Sequence, residues 1–184
     1  MLEEKSKDKT VTALKKESIK EEVVKAYVQK AEADLSNAES EDAIESYKSA
    51  LDYVATKPEE IAIKNKIAEV YKEDNQLGKA LTINLNLLEE AKKSNDFETE
   101  IKQLQEVATI YFQSNQPDNA IQSLKESYAL ACKNGNTKEV KNSLISLTNA
   151  KPGYALFFIA DNSKTAEKLS GIVRNELGKR LELI

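Results

Sequence analysis

Histidine and tryptophan are absent from the 184-residue sequence, and cysteine occurs once, as Cys132. Without histidine the chain cannot form a Ser-His-Asp or Cys-His catalytic site, and it lacks the imidazole ligands of many metal centres. One cysteine excludes an intrachain disulfide and a thiolate metal cluster. Cys132 lies near the end of a predicted helix, where we interpret it as a small buried apolar residue. We therefore expect no enzyme activity, no metal and no other cofactor.

Glycine and proline are scarce as well, with five and three residues. A β-sandwich or another loop-rich fold needs many more chain reversals than these residues readily provide. Apolar residues make up 40% of the chain, which is enough to bury a core, and charged residues make up 32%. The composition predicts a mostly helical protein, either one compact domain or a short array of repeats.

The charge balance and the hydropathy pattern argue against two classes of partner, nucleic acids and membranes. Lys and Arg total 27 against 31 Asp and Glu, a net charge of −4. Nucleic-acid-binding proteins usually carry a basic excess on one face, so we expect no nucleic-acid partner. No stretch approaches the roughly 18 apolar residues of a membrane span, and the start of the chain lacks the apolar segment of a signal peptide. We expect a cytoplasmic protein that does not bind membranes.

Three segments of the chain align as repeats. In each, an alanine is followed 12 positions later by a second alanine, and the pairs are Ala31 and Ala43, Ala68 and Ala80, and Ala108 and Ala120. Turn-forming polar residues lie between the members of each pair, at 36–37, 74–76 and 114–117. Apolar residues recur at helical spacing on both sides of these turns. The pattern predicts a repeating unit of a helix, a tight turn and an antiparallel helix.

These residues resemble the tetratricopeptide repeat (TPR) family, in its longer variety of about 40 residues. In that family a small residue on the first helix faces an alanine on the second. The aromatic residue three positions after the first small residue is matched by Tyr71 and Tyr111, whereas the first repeat has Asp34. The resemblance covers about residues 21–151. It implies an all-α solenoid of antiparallel helix hairpins, with about three repeats and a degenerate fourth.

Both ends of the chain lie outside these repeats. Residues 1–20 are predicted to form a polar tail, frayed up to Thr10, that leads into a capping or extended first helix. Residues 152–184 contain the apolar stretch Tyr154–Ala160. As a helix it would close the solenoid before a C-terminal capping helix from Thr165 to Leu177. As a strand it would begin a β-α-β unit with unpaired sheet edges, in a fragment of a larger protein. We favour the helix; the same stretch could also join two copies of the chain.

The first helices of stacked hairpins line a concave surface, where repeat arrays usually hold their partners. Asn65, Gln105 and Ile145 follow one another on these helices at 40-residue steps, and side-chain amides could hydrogen-bond the backbone of an extended peptide. Phe112 follows Tyr111, and because adjacent helical residues face different ways, Phe112 faces either the groove or a neighbouring helix. The predicted partner-binding residues are Asn65, Glu69, Lys72, Lys102, Gln105, Thr109, Phe112, Asn142, Ile145 and Asn149.

The expected function is that of a non-catalytic scaffold that binds a protein or an extended peptide. The resemblance to long repeats of bacterial sensors and peptide-responsive regulators implies a signalling or regulatory assembly. Two other classes stay open: a sensory segment of a larger catalytic signalling protein, and a secretion chaperone. A longer chain in the source protein would favour the first of these, and co-purification with one exported client would favour the second.

Overall fold

A computed structural model describes residues 2–150 of the chain. Within that range the side chains are described from residue 15 onward, except those of residues 137, 141, 144 and 147–150. The predictions for Tyr154–Ala160, whether helix, strand or contact between copies, lie outside the described residues. So does the predicted C-terminal capping helix.

Residues 2–150 form α-helices and contain no β-strand. In chain order the helices are α1 (Leu2–Ser36), α2 (Ser40–Leu51), α3 (Lys57–Glu73), α4 (Leu77–Ser94), α5 (Phe97–Gln113), α6 (Pro117–Lys133) and α7 (Thr137–Ala150). The pairs α1 with α2, α3 with α4, and α5 with α6 are the three predicted hairpins. Helix α7 lies where the first helix of the fourth repeat was expected. The all-α hairpin prediction is confirmed.

Helix α1 is 35 residues long and begins at Leu2. The tail that the sequence predicts to fray up to Thr10 is therefore helical instead. Lys and Glu are the commonest residues up to Thr10, and both are strong helix formers. Glu3 also precedes Lys7 by four residues, the orientation that favours a helix. A polar composition alone does not prevent helix formation.

Four of the turns, those that follow α3, α4, α5 and α6, share one backbone geometry. Asn75, Asn95, Asn115 and Gly135, which stand 20 residues apart, have positive φ angles between 55° and 67°. At each turn two amide N–H groups bond back to the preceding helix, as in the Schellman cap. Asparagine and glycine adopt the left-handed conformation at lower cost than other residues. This preference explains why α3 and α5 end at the predicted turn residues.

The chain divides into two compact units, residues 1–83 and 84–184, with the boundary inside α4. In the first unit the buried core comprises Ala31, Ala43, Ile44, Tyr47, Ala50, Ile63, Ile67 and Val70. In the second it comprises Ile101, Ala108, Ala120, Ile121, Leu124, Tyr128, Ala131 and Val140. Two of the predicted alanine pairs thus lie within these cores. The third pair, Ala68 and Ala80, is buried as well.

The first hairpin has a charged residue where the other two have tyrosine. Asp34 is nevertheless only 9% exposed. The Lys30 ammonium donates to Asp34 Oδ2 at 3.0 Å and to Ser46 Oγ at 2.9 Å, and the Ser46 hydroxyl donates to Asp34 Oδ2 at 3.1 Å. A buried carboxylate is costly unless it is paired and hydrogen-bonded. Lys30 and Ser46 therefore compensate for the departure from the repeat pattern.

Candidate functional site

The second unit contains a concave depression of about 520 Å³ on the side of α5. It is lined by side chains from three helices, and these are Gln105, Glu106, Ala108, Thr109, Phe112 and Gln113 of α5, Leu124 of α6 and Ser146 of α7. Three of the predicted partner-binding residues, Gln105, Thr109 and Phe112, are brought together in its wall.

The sequence of α5 explains why these three residues share one face. They stand at positions i, i+4 and i+7, which lie above one another on a helix. Ile101, Leu104 and Val107 are buried along the same helix. The helix begins after Asp96, whose carboxylate accepts from the backbone N–H and the hydroxyl of Thr99. These contacts hold the first turn of α5.

Phe112 faces the depression and is 37% exposed, whereas its neighbour Tyr111 is half-buried against the core of the second unit. Phe112 is thus exposed in the lining of the depression, and whether it contacts a partner stays a prediction. An aromatic ring at the edge of a depression offers a large apolar surface at low cost in side-chain entropy.

The side-chain amide of Gln105 forms hydrogen bonds within the second unit that the sequence did not predict. Its Nε2 atom lies 3.0 Å from Glu139 Oε2, 3.2 Å from Ser143 Oγ and 3.4 Å from Ser127 Oγ. Both serines are fully buried and their hydroxyls are 2.9 Å apart. The amide N–H groups that could have bound a peptide backbone therefore hold α5, α6 and α7 together.

This polar network contains functional groups that the sequence analysis missed. Glu139 is only 8% exposed, and its carboxylate also accepts from Asn142 Nδ2 at 3.3 Å. The sequence of α6 does contain one indication of this network, because Ser127 lies on the apolar stripe between Leu124 and Ala131. A polar residue within such a stripe indicates a buried partner.

Lys102, Asn142 and Ile145 are predicted residues of the second unit that do not belong to the described lining of the depression. The Lys102 ammonium is bonded to Glu98 at 2.9 Å, in an exposed pair on α5. Asn142 belongs to the polar network, and Ile145 is half-buried. The side chain of Asn149 is outside the described residues.

Asn65, Glu69 and Lys72 belong to the first unit, on α3. Glu69 is exposed, whereas Asn65 and Lys72 are half-buried. The proposed alignment of Asn65 with residues of the second unit stays a prediction.

Cys132 is half-buried and packs against the core of the second unit. Burial raises the pKa of its thiol, an effect that a hydrogen bond with Tyr128 opposes. A raised pKa disfavours the thiolate, which is the nucleophilic form. Among the described residues, no group of three His, Cys, Asp or Glu side chains could hold a metal ion. In the same part of the chain, no helix has the length and apolar character to span a membrane.

Comparisons with known proteins match the fold. The TPR-like repeats of a Podosopora anserina kinesin light chain, in two crystal structures, give TM-scores of 0.60 and 0.56 at 17% and 16% identity. The matches cover 86% and 83% of this chain and 76% and 75% of those chains. The apo form of RapI gives a TM-score of 0.54 at 16% identity, over 85% of this chain and 58% of the RapI chain.

No family model matches the chain, and no curated protein matches its sequence. At identities this low, the similarity to solved structures is a similarity of architecture. The chain therefore has the TPR-like helical-repeat fold.

Proposed function

We propose that this protein is a non-catalytic scaffold that binds a partner protein, through an extended peptide segment, in the depression of the second unit. The observation that carries the proposal is the exposed Phe112 ring in the wall of a depression of about 520 Å³. Aromatic anchors of this kind dominate the free energy of binding at many protein interfaces.

The dimensions of the depression support this proposal. Ligand pockets typically enclose about 300–1,000 Å³, and their walls combine apolar side chains with a few polar groups. Here the exposed Phe112 ring supplies apolar surface beside the polar Thr109 and Gln113, and the buried Ala108 and Leu124 complete the lining. The depression can therefore accommodate one or two side chains of a bound segment.

The fold is consistent with the same role. Helical-repeat proteins use extended concave surfaces for binding, and each repeat contributes side chains to them. The absence of histidine from the sequence and the raised pKa of the Cys132 thiol argue against a histidine-activated nucleophile and a cysteine nucleophile in the chain. We place the scaffold in a cytoplasmic signalling or regulatory assembly, on the resemblance of its long repeats to those of sensors and regulators.

Site-specific photo-crosslinking tests the proposal. One version of the protein carries a photo-reactive amino acid in place of Gln113, an exposed residue that lines the depression. The matched control carries it in place of Gln122, an exposed residue of α6 outside the lining. We expect one protein of native lysate to be captured through position 113 and not through position 122. Equal capture at both positions, or capture at 122 alone, would contradict the proposal.

A further inference from the structure

One side of the depression is contributed by α7. Ser146 belongs to this helix, whereas the other residues of the described lining belong to α5 and α6. Ser146 follows Ser143 by three positions, so the two side chains are neighbours on the surface of α7, about one helical turn apart. Moving α7 away from α5 and α6 would remove Ser146 from the lining. The depression is therefore complete only while α7 is packed in its place.

Polar side chains form much of the described contact between α7 and its neighbours. The buried side chains that the structure describes on α7 are Glu139, Val140 and Ser143, and Val140 is the apolar one among them. Glu139 Oε2 accepts from Gln105 Nε2 of α5 at 3.0 Å. The Ser143 hydroxyl lies 2.9 Å from the Ser127 hydroxyl of α6. Hydrogen bonds thus connect α7 to both neighbouring helices.

A contact made of buried hydrogen bonds depends on each of its members. A buried carboxylate is costly unless donors satisfy it, and losing one partner from a buried network costs more than losing an exposed hydrogen bond. Gln105 supplies a donor to Glu139 and also lines the depression. The same side chain therefore belongs both to the candidate binding surface and to the contact that holds α7.

The connection from α6 to α7 is a short turn in which Gly135 is exposed and has a φ of 67°. Segments that bury little apolar surface open locally at a lower free energy than the domain as a whole. In the part of α7 whose side chains are described, Val140 is the buried apolar residue. A local opening of α7 about this turn leaves the pairing of α5 with α6 in place.

From this arrangement we infer that α7 opens and closes as a unit, and that the hydrogen bond between Glu139 and Gln105 controls whether the depression can hold a ligand. This inference rests on the proposed function and specifies how the same site is regulated. Glu139 is a positioning residue, because it keeps Ser146 in the lining although it does not itself belong to the described lining. A ligand that binds only the closed form shifts the equilibrium toward that form.

Hydrogen exchange of the full chain, followed by mass spectrometry, tests the role of Glu139 without a ligand. Glu139→Met keeps the length of the side chain but removes its acceptor oxygens, whereas Glu139→Gln keeps one acceptor for Gln105. We expect the α7 amides to exchange about tenfold faster in Glu139→Met and within about twofold of the wild type in Glu139→Gln, with the α5 amides unchanged in both. Glu126→Met, at an exposed residue of α6, is the control and should leave the exchange of α7 unchanged.

The second measurement adds a ligand to the wild-type protein. The probe is the tightest short peptide selected from a random library on the immobilised full chain. At about 100 times its dissociation constant, a ligand that binds only the closed form lowers the open fraction about a hundredfold. We therefore expect the α7 amides to exchange about a hundredfold more slowly when this peptide is bound. The amides of α2, which belongs to the first unit, are the reference and should change far less.

The possible outcomes separate the two proposals. Equal exchange of α7 in Glu139→Met and Glu139→Gln, or exchange of α7 and α5 at one common rate, would overturn the inference. A peptide that loses affinity in Phe112→Ala but leaves the exchange of α7 unchanged would also overturn it, while the depression would still bind peptides. If no peptide is enriched, or if every enriched peptide binds Phe112→Ala as tightly as the wild type, the proposed function fails and the inference fails with it.

Discussion

The Gln105 side-chain amide on α5 donates a hydrogen bond of 3.0 Å to the carboxylate of Glu139 on α7. The two residues are 34 positions apart in the sequence, and Ser127 and Ser143 join them in one network. A carboxylate this buried needs hydrogen-bond donors to offset the loss of water. Gln105 therefore stabilises the stacking of α5, α6 and α7 and at the same time lines the depression.

Replacing Gln105 should destabilise the second unit. Gln105→Met keeps the length of the side chain but removes the donors to Glu139, so we expect the free energy of unfolding to fall by about 1–3 kcal/mol. Gln122→Met is the control, because Gln122 is exposed and makes a single bond to Glu126 on the surface. Urea denaturation of both variants measures the difference. Equal midpoints would show that the network contributes nothing.

The sequence predicted the hairpins and their turns because the signals are local. Asn75 and Asn115 supply the left-handed conformation inside a three-residue turn, and Pro117 opens α6 at the position where its missing N–H costs nothing. The spacing of alanines placed Ala31 with Ala43 in one core for a similar reason. These features depend on residues no more than 12 positions apart in the sequence.

The role of Gln105 could not be predicted, because its partners come from distant parts of the chain. A glutamine on a helix face has the same sequence signal whether its amide meets water or a buried serine. Only the packing of α6 and α7 against α5 decides which occurs. The sequence likewise left the direction of Phe112 open, since helical periodicity does not show which neighbouring helices are present.

Ala38 offers a test of the turn geometry. It has a φ of 62°, the left-handed conformation, in the turn between α1 and α2. A residue with a Cβ atom is strained there, at a cost of roughly 1–2 kcal/mol, and glycine is not. Ala38→Gly should therefore raise the free energy of unfolding by about 0.5–1.5 kcal/mol, the gain being reduced by the extra entropy of the unfolded chain.

Replacing alanine with glycine inside a helix should instead lower the free energy of unfolding. Ala62 is exposed in the middle of α3, where glycine costs about 1 kcal/mol relative to alanine. Thermal denaturation of Ala38→Gly and Ala62→Gly gives the comparison. A loss of stability in both variants would mean that Ala38 is not strained.

The Asp96 carboxylate should make the stability of α5 depend on pH. Hydrogen bonds from the Thr99 hydroxyl and backbone N–H lower the pKa of its carboxyl below the ordinary value of about 3.9. A lowered pKa means that the stabilisation is present above the unfolded-state pKa and is lost as the pH falls through the folded-state pKa. Because solvent screens the charge at this half-buried position, the stabilisation by Asp96 amounts to about 0.3–1 kcal/mol.

The stability of the wild-type protein is compared with that of Asp96→Asn, because asparagine keeps a capping oxygen but carries no charge. The wild-type protein should be the more stable of the two at about pH 6, and its advantage should shrink as the pH falls below the unfolded-state pKa of about 3.9. Urea denaturation across this range measures it. A difference that is independent of pH would contradict the role assigned to the charge.

Ala108 tests the close packing of the third hairpin. It is only 1% exposed and shares a core with Ala120. Ala108→Leu inserts a larger side chain at this crossing and should cost about 1–3 kcal/mol of unfolding free energy. Ala129→Leu, at an exposed position of α6, should change it by less than about 0.5 kcal/mol. If the two variants unfold at the same denaturant concentration, the helices do not cross at Ala108.

The variant Phe97→Ala is the control for testing whether Phe112 binds the partner. The two phenylalanines lie on the same helix and are 38% and 37% exposed, but only Phe112 lines the depression. Their alanine variants therefore remove equal amounts of exposed aromatic surface from different places.

The most direct measurement is calorimetric titration of the crosslinked partner, once it is purified, into the wild-type protein and these two variants. Phe112→Ala should raise the dissociation constant at least about tenfold, whereas Phe97→Ala should leave it within about twofold. Circular dichroism checks that both variants keep their helices. If Phe112→Ala binds the partner as tightly as the wild type while Phe97→Ala weakens binding, the depression is not the binding site.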